Sequence, residues 1–74
     1  MTEPTNLLLG LGRAIRDARA EARISQEELG NRTGIHRNYI GGIERGERNP
    51  SVVAIATLAD ALGVTLADLF TRAE

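Results

Sequence analysis

The sequence predicts an all-α fold of five short helices. Three observations predict it. Apolar residues recur at spacings of three and four. A Ser or Thr stands three residues ahead of a Glu or Asp just before an apolar run at two places, Ser25 to Glu28 and Thr65 to Asp68. No segment alternates apolar and polar side chains as a half-buried strand does. At 74 residues the chain is one domain, expected over residues 6–71 with short tails at 1–5 and 72–74.

The first helix is expected from about Asn6 to Ala22, because Leu8, Leu11, Ile15, Ala18 and Ala22 form one apolar stripe. Gly10 and Gly12 weaken its first turns by about 1 kcal/mol each relative to Ala, which predicts fraying there. The second helix starts at a capping box, Ser25-Gln26-Glu27-Glu28, with Ile24 and Leu29 as a hydrophobic staple, and ends near Thr33 and Gly34. A third follows at once, over about Arg37 to Arg45, with Ile35, Ile40 and Ile43 facing inward and Gly46 as the stop. Ser51 caps a fourth, whose apolar face is Ile55, Leu58, Ala59 and Leu62, closed by Gly63. The second capping box, Thr65 to Asp68, starts a fifth, with Val64 and Leu69 as its staple and Leu66, Leu69 and Phe70 as its apolar residues.

Composition removes several classes of function. There is no cysteine, so a disulfide framework, a thiolate zinc site and a cysteine nucleophile are excluded. The apolar run from Val52 to Ala59, interrupted by Thr57, is too short to span a bilayer, so a cytoplasmic chain without membrane contact is expected. Glycine loops for phosphate, clusters of metal ligands and nucleophile-base pairs are all missing. Neither catalysis nor a cofactor or metal is expected.

The net charge of −1 argues against nucleic acid when taken alone, but the distribution argues for it. All nine basic residues are arginines, and eight of them precede residue 49, whereas the last third carries Asp60, Asp68 and Glu74. A cationic front with an anionic back can present one surface to phosphates.

Two short helices joined by a Gly-containing turn of three or four residues make a helix-turn-helix, whose second helix enters the major groove of DNA. Gln26 to Arg45 fits that plan: Leu29, Ile35, Ile40 and Ile43 are apolar where the helices pack, Gly30 is small where they approach, and Gly34 lies in the turn. The stretches Ser25-Gln26-Glu27-Glu28-Leu29, Tyr39-Ile40, Ile43-Glu44-Arg45-Gly46 and Asn49-Pro50-Ser51 resemble the helix-turn-helix regulators of the lambda repressor, Cro and xenobiotic-response-element type. The resemblance covers about residues 8 to 70 and implies a five-helix lambda-repressor-like domain. More narrowly, Asn38 to Gly46 resembles the controller proteins of restriction-modification systems. Arg23 stands where that family commonly has Gly, Gly30 where Ala is usual, and His36 is a weak choice for a helix cap.

Arg37 and Asn38, in the first turn of the reading helix, are candidates for base contact, because Arg pairs bidentately with guanine and Asn with adenine. Arg48, in the following loop, is a further candidate for a base. Gln26 is implied by the resemblance to be a phosphate anchor, and its helix N-terminus independently suits an anion. Tyr39, Arg45 and Asn49 are candidates for phosphate contact, Tyr39 also for packing beside Ile35. Gly41 faces the same side as Arg37; its missing side chain either allows close approach to the groove or is only a flaw in helix propensity. The resemblance also implies a structural ion pair between Arg19 and Glu44.

A single motif of this size covers few base pairs, so a homodimer on a short DNA operator is expected, with half-sites about 34 Å apart. Val53, Leu66, Leu69 and Phe70 are the candidate dimer surface. The controller resemblance implies promoter activation at low occupancy and repression at high occupancy, with contact to RNA polymerase if the chain activates. A phage-type repressor, an autoregulating antitoxin and a protein-interaction module without DNA binding are the alternatives.

Overall fold

The computed structural model describes residues 3–74, all five helices among them. They are α1 (Pro4–Ala22), α2 (Gln26–Thr33), α3 (Arg37–Glu44), α4 (Val52–Leu62) and α5 (Leu66–Ala73). The first helix begins two residues before the expected start, because Pro4, with its preset φ, suits a first turn. Of the expected 1–5 tail, Pro4 and Thr5 are thus helical and residues 1 and 2 lie outside the described residues. The expected 72–74 tail is also shortened, since α5 continues through Ala73, whose side chain is buried.

Helix ends follow local chemistry. Ser25, Ser51 and Thr65 each accept a hydrogen bond at the side-chain oxygen from the N–H three residues on, at 3.0, 3.0 and 2.9 Å. These bonds satisfy donors that a helix start leaves unpaired. The carboxylates of the two capping boxes turn elsewhere: Glu28 accepts from Arg32 Nε at 2.7 Å, and Asp68 pairs with Arg72 at 3.2 Å. Both are partners one turn ahead on the same helix. His36 caps α3 after all, its Nδ1 accepting from the Asn38 N–H at 3.0 Å. Gly34 and Gly63 close α2 and α4 in the left-handed conformation. Arg23 does the same for α1 at φ 60°, a conformation disfavoured for any residue with a Cβ.

The core is aliphatic, as the scarcity of aromatics requires: Ile15, Leu29, Ile40, Ile43, Ile55, Leu58 and Leu69 are its largest fully buried side chains. α1 is the spine, packed against α5, α3 and α4, while α2 rests on α3 and α4. The buried stripe of α1 is Leu11, Ala14, Ile15 and Ala18 with Leu7 packed beside it. Ala22, expected inside, is exposed, because α1 runs on beyond the elements that cover it.

Gly10 and Gly12 are sites of close approach within an unbroken helix. A Cβ on Gly10 would stand 2.1 Å from the carbonyl oxygen of Ala73, and one on Gly12 would stand 2.3 Å from that of Ile43. The glycines thus let the ends of α5 and α3 seat directly on α1, and their cost in helix propensity is offset by that packing. No single helix among the described residues is long and apolar enough to cross a membrane. α4 and α5 reach the length only as a pair bent by 103°.

Candidate nucleic-acid interface

α2, the turn Gly34 to His36, and α3 form the helix-turn-helix. Gly30 sets its closeness: a Cβ there would lie 2.7 Å from the Ile35 carbonyl oxygen, so the turn folds back tightly over α2. Ile40, Ile43 and Glu44 of α3 point into the protein, while Arg37 and Asn38 at its N-terminal end are exposed. An edge of α3 therefore remains free for a groove, the arrangement by which such helices reach bases.

Behind that edge lies a buried ion pair. Arg19 Nε donates to Glu44 Oε2 at 2.8 Å and Arg19 Nη2 to Glu44 Oε1 at 3.0 Å, while Arg19 Nη1 donates to the Ile24 carbonyl at 3.0 Å. Gln26 Nε2 adds a third donor to the carboxylate, also at 3.0 Å on Oε1. The side chain of Glu44 is only 3 % exposed, so a lone carboxylate there would be costly, and three donors compensate it. Hydrogen bonding to Glu44, against the smaller opposing effect of burial, raises the Arg19 pKa above its ordinary value. One carboxylate on α3 thereby ties α1 and the first residue of α2 to the reading helix.

This bond also orients Gln26. Its amide nitrogen is held by Glu44, and its oxygen faces Gly41. A Cβ on Gly41 would lie 3.1 Å from Arg45 Nη1 and 3.4 Å from Gln26 Oε1. Gly41 is buried, and its small size makes room for these two side chains. Gly42 does the same for Arg48, whose Cγ would stand 2.8 Å from a Cβ there. Arg48 thus folds back from the loop with its guanidinium over the half-buried Tyr39 ring, 5.7 Å from the centroid, within range of a cation–π attraction.

Arg45 Nε donates to Glu47 at 3.0 Å, and this bond holds the Glu47 carboxyl below its ordinary value. Asn49 is exposed in the loop. Gln26, Arg45, Tyr39 and Arg48 are thus brought together around α3. Sequence reasoning missed Glu27, which pairs with Arg37 at 2.5 Å across the turn. The signal was present, a carboxylate ten residues from the proposed base reader, but it was absorbed into the description of a capping box.

The candidate dimer residues differ in exposure. Val53 is 75 % exposed, and Val52 beside it is 65 % exposed. Leu66 and Phe70 are partly buried against the core. Leu69 has no exposed area and faces α1 and α4, so it belongs to the core and not to a surface for a second chain.

This fold, with its exposed edge on a braced second helix, defines the class of helix-turn-helix DNA-binding regulators. Residues 15–69 match the family described as "Helix-turn-helix", and the chain belongs to that family. It is similar to the control protein C.BamHI of Bacillus amyloliquefaciens, with 42% identity over 65 residues, covering 86% of this chain and 80% of the relative. Among solved structures it is similar to the restriction-modification controller protein C.AhdI from Aeromonas hydrophila, with a TM-score of 0.81 and 42% identity over 84% of this chain and 94% of that one. It is also similar to the clp gene regulator ClgR from C. glutamicum, with a TM-score of 0.88 and 31% identity over 90% of this chain and 86% of that one.

Proposed function

We propose that this regulator is a controller protein that binds a short DNA operator as a homodimer. The observation that carries the reading is the exposed first turn of α3, where Arg37 and Asn38 stand free of the core while Glu44 braces the helix from behind. Arg37 reads guanine and Asn38 adenine, each contact carrying about 1–3 kcal/mol of discrimination. Arg48 swings from its place over the Tyr39 ring to reach a base. Gln26, Tyr39, Arg45 and Asn49 contact phosphates and set the register.

Dimerisation is supported by size. The molecule measures 34 × 21 × 20 Å, and a face about 20 Å wide spans only about six base pairs at about 3.4 Å each. Two copies with half-sites about 34 Å apart read enough sequence to be selective. The exposed Val52 and Val53 supply apolar area for this contact, with Leu66 and Phe70, partly buried against the core, as further candidates. By similarity to the control proteins, a first dimer on a strong site activates a promoter through contact with RNA polymerase, and a second on a weaker adjacent site represses it.

The test is selection of duplexes from a randomised pool, followed by mobility shifts at two salt concentrations and mass measurement by light scattering. A two-fold symmetric selected site, bound by a dimer and weakened by salt, is the expected result. Absence of any shift at low salt would leave a protein-interaction module as the function. A shift by monomers alone would overturn the dimer.

A further inference from the structure

We infer that Glu27 is a positioning residue for sequence reading, pairing with Arg37 and holding it oriented as it meets a guanine. The inference rests on the assignment of α3 as the reading helix. Glu27, second residue of α2, accepts from Arg37 Nη1, first residue of α3. The two side chains are 63 % and 60 % exposed. An ion pair this open contributes little to stability, so the fold does not account for it.

Its position is set by the backbone. Gly30 draws the Ile35 carbonyl down onto α2, and Gly34 turns the chain in the left-handed region. These two constraints bring the starts of α2 and α3 together, and Glu27 and Arg37 both line one open cleft there. Glu27 therefore lies at the surface that faces DNA, where a carboxylate repels phosphates.

The hydrogen bond occupies one nitrogen of the guanidinium. Nε and Nη2 remain available, and their parallel donors match the paired acceptors N7 and O6 of guanine. The carboxylate and the base can thus be bound together. A side chain already held in place loses less freedom on binding, an advantage of about threefold to tenfold in affinity for an arginine. The Glu27–Arg37 pair together carries no net charge, so it adds little to sequence-independent attraction by phosphates. A free Arg37 would contribute to both kinds of binding; the paired one favours the operator.

The experiment compares the whole chain with Glu27→Ala, Glu27→Gln, Arg37→Ala and the Glu27→Ala/Arg37→Ala double variant. The probes are a duplex selected by the wild-type protein and a mixed-sequence duplex of equal length. Glu27→Ala is expected to bind the mixed duplex more tightly, to steepen the salt dependence of that binding by about one unit, and to lower the selected-to-mixed affinity ratio about tenfold. Glu27→Gln, which keeps an acceptor, is expected to fall between wild type and Glu27→Ala, and all four variants to unfold within a few degrees of wild type. In the Arg37→Ala background, Glu27→Ala should leave the ratio unchanged. A ratio within twofold of wild type for Glu27→Ala, or an equal fall in the Arg37→Ala background, overturns the role of Glu27 alone. A ratio unchanged by Arg37→Ala overturns the assignment of Arg37 as reader, and the role of Glu27 with it.

Discussion

Gly12 lies so close to Ile43 that a Cβ on the glycine would stand 2.3 Å from the isoleucine carbonyl oxygen. The neighbouring Glu44 carbonyl oxygen would be 2.6 Å away. Both contacts are with backbone, which has no rotamer by which to yield. Gly12→Ala gains about 1 kcal/mol of helix propensity and loses more to displacement of α3, so net destabilisation of about 1–3 kcal/mol is expected. The midpoint of urea unfolding checks this, and an unchanged or higher midpoint would count against the close approach.

Arg23 adopts φ 60° at the end of α1, where its N–H reaches the Ala20 carbonyl at 3.1 Å and the Ile24 N–H reaches that of Arg19 at 3.2 Å. Glycine adopts this conformation without a Cβ clash. Arg23→Gly is expected to stabilise the domain by about 0.5–1 kcal/mol, part of the gain being lost to the greater freedom of glycine in the unfolded chain. Thermal unfolding at constant salt measures it.

Glu44→Ala removes the acceptor for Arg19 and Gln26 together. Arg19 is 18 % exposed and can swing partly to water, so the loss should be about 2–3 kcal/mol, near the low end for breaking a buried pair. Gln26 is released as well. At temperatures where the variant remains folded, its affinity for all DNA sequences should fall by a similar factor, the pattern of a lost phosphate contact.

Val53 and Leu69 should separate association from folding. Val53→Asp places a charge on a 75 % exposed position and should dissociate the proposed dimer without lowering monomer stability by more than about 0.5 kcal/mol. Leu69→Asp buries a carboxylate without a partner and should unfold the chain. Sedimentation and circular dichroism on both variants would distinguish the two effects; a dimeric Val53→Asp would move the interface elsewhere.

The order and ends of the helices were legible in the sequence because caps are local: Ser25, Ser51 and Thr65 act on N–H groups three residues away. The Arg19 to Glu44 pairing came by resemblance, since nothing in the spacing of the two residues requires it. Gly10 and Gly12 were misread because propensity describes a helix in isolation, whereas their use depends on the carbonyl groups of Ala73 and Ile43, far along the chain. The packing at Gly41 was not legible for a related reason, its space being filled by Gln26 and Arg45 from elsewhere in the motif. Leu69 illustrates a further limit. On an eight-residue helix, apolar periodicity shows that a side chain is covered, but not whether its own chain or another covers it.

The eight residues of α3 divide cleanly in use. Ile40, Ile43 and Glu44 are held by the interior, whereas Arg37 and Asn38 contribute nothing to it beyond their backbone. Substitutions at the exposed pair therefore leave the fold almost untouched, so under the proposed reading target preference can drift over evolutionary time, or be exchanged by design, on an unaltered scaffold. Within such a lineage, the braced positions 19, 26 and 44 are expected to vary together, and positions 27 and 37 to covary as a separate pair that follows the DNA.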